Sequence, residues 1–287
     1  MARLTLFIAL MAFVLQAHAV ALGSRHAIVV DEESGKVLLE KHATDIVPIA
    51  SLTKLMTAMV ILDAGLDMQE RIVIVDQDVD YLKHSSSRVP VGSSLARSTL
   101  LELALMSSDN RAAAALARTY PGGLEQFLVA VRAKAGSLGL RRTNIEEPTG
   151  LSRHNTSTAL DMAKLAMAAG RYPEIARITT VAGDTIDVDG QARQYRNTNH
   201  LVRDGNWNIL LSKTGFTREA GRCVVMRIQA AGHNAIVVLL NARESMHRTA
   251  DALRVYRMLL GEPDLPVAEV AAKRRPGKSA RSQRKST

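Results

Sequence analysis

Strand-like patterning in this chain gathers toward its two ends, and mostly helical patterning fills the middle. Near the start, residues 26–30 alternate loosely and 37–39 are apolar, with Asp31-Glu32-Glu33-Ser34-Gly35 between them. That predicts a β-hairpin with a glycine-containing turn. Near the end, residues 209–211, 223–228 and 235–240 read as strands, the last two pairing across Ala231-Gly232-His233-Asn234. Between these ends, Leu55, Met56, Met59 and Leu62 fall on one face of a helix that Ser51 opens and Gly65 stops. Residues 71–75 read as a short strand. Residues 100–106 read as a helix that breaks at Ser107-Ser108-Asp109-Asn110 and resumes over 111–117. A further helix over 124–135 follows the break at Pro121-Gly122-Gly123, and another runs from a cap at Ser157 or Thr158 to Ala169, stopped by Gly170. Asp189-Gly190 marks a hairpin between 185–188 and 192–195, and a last helix covers 247–260. Strands from opposite ends with helices between them predict an α+β fold: an antiparallel sheet built from both chain ends, with an inserted helical region.

Composition excludes several classes. With 47% apolar and 23% charged residues over 287 positions, the chain has ample core and is not wholly disordered. One cysteine excludes an intramolecular disulfide framework and a Cys-rich zinc site, and the eight histidines form no HExxH pair. No metal and no cofactor are expected.

The net charge of +9 is unevenly placed. Residues 273–285 carry seven basic side chains and no acidic one, so the body is nearly neutral and offers no basic face for nucleic acid. Met1-Ala2-Arg3, an apolar run over 4–15 and Ala17-His18-Ala19 have the three-part layout of a secretory signal peptide. The apolar run is about 12 residues, short of the roughly 20 that span a bilayer. The expected organisation is a signal peptide over 1–19, a single domain over 20–262, and a basic, disordered tail over 263–287. That tail is expected to touch anionic membrane lipid or wall polymer.

Three short motifs occur in order: Ser51-Leu52-Thr53-Lys54 (S-x-x-K), Ser108-Asp109-Asn110 (S-x-N) and Lys213-Thr214-Gly215 (K-T-G). S-x-x-K alone is weak, since Ser282-Gln283-Arg284-Lys285 also fits it. The three together, each in a suitable local context, are a strong signal. Residues i and i+3 share a helix face, so Ser51 can meet the Lys54 amine one turn on. A serine nucleophile needs an adjacent base, and lysine serves only with a lowered pKa, from burial or from another cation such as Lys213. Ser108-Asp109-Asn110 is expected on a loop that presents side chains, with Asp109 a turn residue. Gly215 in a strand permits close approach of another backbone. Cys223, in an apolar strand, is expected to be a core thiol.

At these motifs the chain resembles the low-molecular-mass penicillin-binding proteins, the serine D-alanyl-D-alanine peptidases, over residues 25–262. The likeness includes Ala50-Ser51-Leu52-Thr53-Lys54-Leu55-Met56-Thr57-Ala58, Glu147-Pro148-Thr149-Gly150-Leu151-Ser152 and Lys213-Thr214-Gly215-Phe216-Thr217-Arg218-Glu219-Ala220-Gly221. Phe216 after K-T-G, with Asn197-Thr198-Asn199 upstream, is most similar to the endopeptidase branch. The resemblance implies a β-lactamase/DD-peptidase-like fold, a periplasmic location, peptidoglycan stem peptides as substrate and acylation by β-lactams. It implies that Ser51 is acylated, Lys54 is the general base, Ser108 relays a proton and Asn110 holds the substrate amide. Lys213 would support the electrostatics, Thr214 bind the substrate carboxylate, and the N–H groups of Ser51 and Phe216 form the oxyanion hole. Arg243 sits where carboxypeptidases place a carboxylate-binding arginine. The alternatives are a D-Ala-D-Ala carboxypeptidase, a class A β-lactamase using Glu146 or Glu147 to deacylate, and a non-catalytic wall-binding protein of the same fold.

Overall fold

The computed structural model describes residues 22–262; the leader assigned to 1–19 and the basic tail assigned to 263–287 lie outside the described residues. The N-terminal hairpin forms as expected from β1 (His26–Asp31) and β2 (Val37–Lys41), turning at Gly35 with φ +70°. A two-residue strand β3 (Val47–Pro48) leads into a 3-10 turn over Ala50–Leu52, and α1 (Thr53–Asp63) continues from it. The helical insert then runs through β4 (Arg71–Val73), β5 (Ser94–Ala96), α2 (Arg97–Met106), α3 (Asn110–Arg118) and α4 (Gly123–Ser137). It ends with β6 (Thr156–Ser157), α5 (Ala159–Ala169), α6 (Pro173–Thr180), the β7 (Gly183–Val188) and β8 (Gln191–Arg196) hairpin, and α7 (His200–Asp204). The chain returns through β9 (Asn208–Thr217), β10 (Gly221–Ala230) and β11 (His233–Ala242) to α8 (Ser245–Leu259).

The main sheet has the order β2-β1-β11-β10-β9, antiparallel throughout, so strands from both chain ends meet at the β1–β11 pair. Successive side chains of a strand face opposite ways, and both faces are covered here. Ile236, Val238 and Leu240 of β11 join the core shared with the helical insert, while Ala235, Val237 and Leu239 pack with Ala252 and Val255 of α8. Double coverage explains why β10 and β11 read as apolar runs rather than strict alternation. The Asp251 carboxylate of α8 accepts hydrogen bonds from the Gly23 and Ser24 amides (2.8 and 2.6 Å), which fastens the last helix to the start of the described chain.

Helix α1 departs from the one-faced helix expected. Every residue from Thr53 to Ile61 is buried, because α1 runs through the centre of the molecule with α2, α3, α4, α5 and α6 around it. A helix apolar all round is a core helix, and Lys54 lies at its N-terminal end. No helix of the described residues is long and apolar enough to cross a membrane.

Candidate active site

The first motif is formed by strain and close approach. Ala50, just before the serine, adopts φ +48°, an unfavourable conformation for a residue with a side chain. The Thr53 hydroxyl donates to the Ala50 carbonyl at 2.9 Å, tying the 3-10 turn to α1. Ser51 therefore sits in that turn, immediately before α1, rather than in the helix proper. Two glycines let neighbouring chains close on it. A Cβ at Gly150 would lie 2.8 Å from the Ser51 nitrogen, and one at Gly215 would lie 3.1 Å from it.

Lys54 is 1% exposed, and its amine makes three short contacts: Ser51 Oγ at 3.0 Å, Asn110 Oδ1 at 2.6 Å and the Thr149 carbonyl at 2.7 Å. Asn110 is fixed from its other side by donating to Ser85 Oγ at 2.7 Å. Ser108 has φ +61°, a second strained residue, and accepts from Lys213 Nζ at 2.8 Å. Asp109 does more than turn the chain. It caps α3 through the Ala112 amide and accepts from Ser87 Oγ at 2.7 Å, anchoring the S-x-N loop at both ends. Lys213, Thr214 and Gly215 lie within β9, on the outer edge of the sheet. Lys213 is also 1% exposed, and Thr214 Oγ1 donates to Thr198 Oγ1 at 2.6 Å. Strand pairing sets Phe216 opposite Arg222, whose guanidinium carbon stands 3.6 Å from the Phe216 ring centre.

Burial sets the protonation of the two lysines. It lowers the Lys54 pKa to about 8, against the pull of the Glu147, Asp109 and Asp80 carboxylates. Lys213 is held well below its ordinary value, first by burial, then by the charges of Lys54 and Arg248. Of the two sources expected for Lys54, burial or a second cation, burial is the one that acts. Burial is the influence that lowers Lys54, while the charge of Lys54 adds to burial in lowering Lys213. The consequence for geometry is direct. A neutral amine has two N–H groups and one lone pair. Asn110 Oδ1 and the Thr149 carbonyl can only accept, so they take both N–H groups, and the lone pair faces Ser51 Oγ. A serine hydroxyl donating to a buried neutral amine is the arrangement of a nucleophile with its base.

The cleft beside these groups holds about 290 Å³ and is lined by Ser51, Ser108, Thr198, Thr214, Phe216 and the arginines Arg222 and Arg248. A separate hollow of about 480 Å³, lined by Asn110 and Thr149 among others, lies between Tyr81, Leu82, Leu124 and Leu151. An ion pair between Lys83 and Glu219 links the loop on the helical side to the β9–β10 turn and holds the Glu219 carboxyl at about 2.

Comparison with known proteins agrees with this geometry. The model of peptidase family S11, D-alanyl-D-alanine carboxypeptidase, matches residues 13–244. The chain is 45% identical over 240 residues to a D-alanyl-D-alanine endopeptidase of Pseudomonas aeruginosa, covering 83% of this chain and 77% of that one. It is 42% identical over 261 residues to one of Escherichia coli, covering 90% and 84%. The chain belongs to peptidase family S11. It is a serine-type D-alanyl-D-alanine peptidase. Its fold is that of the crystal structure of a Streptomyces DD-transpeptidase, with TM-score 0.78 and 24% identity over 84% of this chain and 98% of that one. A penicillin-binding protein of Listeria monocytogenes with ampicillin bound gives TM-score 0.72 and 27% identity over 84% and 98%.

In this S11 peptidase Ser51, Lys54, Ser108, Asn110, Lys213, Thr214, Gly215 and Phe216 converge on one cleft, and Arg243 does not. Arg243 stands exposed just past the end of β11, while Arg222 and Arg248 line the cleft. The Thr149 carbonyl, Thr198, Arg222 and Arg248 were not expected. A backbone carbonyl has no sequence signature, and Arg248 reads as one cation of a surface helix, although it is buried and donates to the Cys223 carbonyl at 3.1 Å. Cys223 is a core thiol, which burial pushes up to about 11. The glutamates considered for β-lactamase deacylation are engaged elsewhere. Both Glu147 oxygens accept from their own loop, and Glu146 Oε2 accepts from Ser152 Oγ. Among the described residues no group of three or more His, Cys, Asp or Glu could hold a metal.

Proposed function

We propose that this S11 peptidase is an endopeptidase that hydrolyses D-Ala–diaminopimelate cross-links between peptidoglycan stems, through an acyl-enzyme on Ser51. The observation that carries the reading is the pair of fully buried lysines, Lys54 on Ser51 and Lys213 on Ser108, in a chain whose relatives at 45% and 42% identity are named endopeptidases.

Lys54 takes the Ser51 proton as Oγ attacks the D-Ala carbonyl. The Ser51 and Phe216 amides hold the oxyanion, an interaction worth about 10²–10³ in rate per donor. Asn110 binds the substrate amide. The departing amine receives a proton through Ser108, and water then releases the acyl group from Ser51. An arriving carboxylate pairs with the Thr214 hydroxyl and favours the charged form of Lys213, which burial and Lys54 otherwise disfavour. The edge position of β9 suits this substrate, since an extended peptide can align along an unpaired strand. β-Lactams enter the same site as mimics of the D-Ala-D-Ala end and acylate Ser51. A periplasmic location follows from the leader, and the basic tail supplies contact with anionic membrane lipid or wall polymer.

A carboxypeptidase acting on free pentapeptide ends uses the same chemistry, and the description of the matching family favours it. Residues 20–287, with and without Ser51→Ala, are incubated with cross-linked dimers and pentapeptide monomers, and products are followed by mass. Dimers falling to monomers only with Ser51 present establish the endopeptidase. Loss of one terminal D-Ala with dimers intact assigns the carboxypeptidase.

A further inference from the structure

The last part of the segment between α4 and β6, residues 147–155, makes a closed web around one side chain. Glu147 Oε2 accepts from the Thr149 amide at 2.8 Å and from the Thr149 hydroxyl. Oε1 accepts from the Gly150 amide at 2.6 Å, the Ser152 amide at 3.3 Å and Asn155 Nδ2 at 2.9 Å. That is five donors on one half-buried carboxylate. The loop so gathered touches Lys54 and the turn and helix around it at three places. Its Thr149 carbonyl accepts from Lys54, its Pro148 carbonyl accepts from Thr57 Oγ1 of α1 at 2.7 Å, and Gly150 lies against the Ala50 carbonyl. Asn155, wholly buried, completes the circuit. It bonds the Glu147 carbonyl and Thr53 Oγ1 through Nδ2, and its own carbonyl accepts from the Ile49 amide at 3.0 Å.

We propose that Glu147 is a positioning residue of the peptidase: by collecting its own loop's donors it fixes the Thr149 carbonyl, which occupies one N–H of Lys54 and so turns the lone pair onto Ser51. The inference rests on the reading of Lys54 as the base. Glu147 makes no contact with Ser51 and acts through Thr149. Glutamine in its place offers one acceptor oxygen and one NH₂, and the NH₂ opposes backbone N–H groups that need an acceptor. Aspartate keeps the charge but is one methylene shorter, so it cannot reach Thr149, Gly150 and Asn155 together.

Charge and position are separable by pH. The charged groups facing Lys54 are Glu147 on this loop, Asp109 before α3, Asp80 on the loop between β4 and β5, and Lys213 on β9. Removing the Glu147 charge withdraws one interaction that favours protonated Lys54, so the acid limb of acylation moves to lower pH in Glu147→Gln. In Glu147→Asp the limb stays near the wild-type position. The plateau falls in both if Thr149 is misplaced, by about tenfold or more, since an error of about 1 Å costs up to 10²-fold.

The experiment measures acylation by a fluorescent penicillin against pH in wild type, Glu147→Gln, Glu147→Asp and Ser51→Ala, with pre-acylation binding fitted separately and folding checked by circular dichroism. The expected result is a tenfold or larger fall in the acylation step with binding unchanged, a lower acid limb in Glu147→Gln and an unmoved limb in Glu147→Asp. A folded Glu147→Gln with the wild-type plateau overturns the proposal. If Glu147→Gln does not fold, Glu147→Asp decides: a lower plateau supports the assignment and a wild-type plateau overturns it. Failure of both variants to fold makes Glu147 a folding determinant and overturns it too. Absence of Ser51-dependent labelling in the wild type is a different failure, that of the peptidase reading itself.

Discussion

Replacing Gly150 by alanine tests whether the nucleophile turn and the loop that orients Lys54 must touch. Gly150 has φ +89°, and a Cβ there would stand 1.9 Å from the Ala50 carbonyl oxygen and 2.2 Å from its carbon, all backbone. Ordinary Cβ contacts begin near 3.4 Å, so the loop must retreat by about 1.5 Å. A retreat of that size stretches the 2.7 Å Lys54–Thr149 contact to about 4 Å, past hydrogen-bonding range. Two effects follow. The unfavourable φ costs about 1–3 kcal/mol, which for a domain of this size lowers Tm by roughly 2–12 °C. The lost orientation of Lys54 lowers acylation by about 100-fold. The assay is the rate of fluorescent-penicillin labelling at a temperature where the variant is folded, with Gly35→Ala as control. Gly35 has φ +70° but no atom within 4 Å of an added Cβ, so its alanine variant bears similar strain and labels at the wild-type rate. A folded Gly150→Ala that labels within threefold of wild type refutes the reasoning.

Acylation of the wild type should rise with pH and level off above about 8, because only neutral Lys54 can take the Ser51 proton and burial places its pKa there. A rate flat from pH 6 to 9 contradicts Lys54 as the base. Arg243→Ala should leave KM for a peptide substrate within about twofold, whereas Arg248→Ala should raise it about tenfold or more, since of these two arginines Arg248 alone lines the cleft; the reverse order would put Arg243 at the carboxylate. The single thiol should resist alkylation in the native protein at pH 8 and react after denaturation, since Cys223 is buried with its pKa near 11. Rapid native labelling would show β10 to be open.

The readable parts of this molecule were those in which neighbours in sequence are neighbours in space. The i, i+3 spacing of Ser51 and Lys54, the glycine turn at Gly35, the Thr158 cap and the Gly170 stop of α5 all depend on a few adjacent residues. The closure of the sheet also followed, because strand patterning gathers at opposite ends of the chain with a mostly helical insert between them. What escaped was set at a distance. Helix α6 opens on Pro173 and spans only eight residues, too few for a clear period. The β3–β6 pair is two residues long. The state of Lys54 depends on α1 being enclosed on all sides, which no local pattern announces. Arg243 was placed by likeness to the carboxylate-binding arginine of carboxypeptidases, but β11 ends before it and it stands exposed, while Arg248, in α8, is folded inward.

The pairing of β1 with β11 also governs when the enzyme becomes dangerous. His26 meets Leu240 across the sheet, a separation of about 210 residues, and long-range pairing of that kind is slow to form. Ser51 and Lys54 lie in the first fifth of the chain, yet Lys213 and the β9 edge arrive only with the last strands. Burial of Lys54 likewise waits for α2 to α6 to enclose α1. Until then its amine is hydrated and protonated, and Ser51 is an ordinary alcohol. The reactive serine is thus armed by the completion of folding, and a nascent or partly unfolded chain attacks nothing.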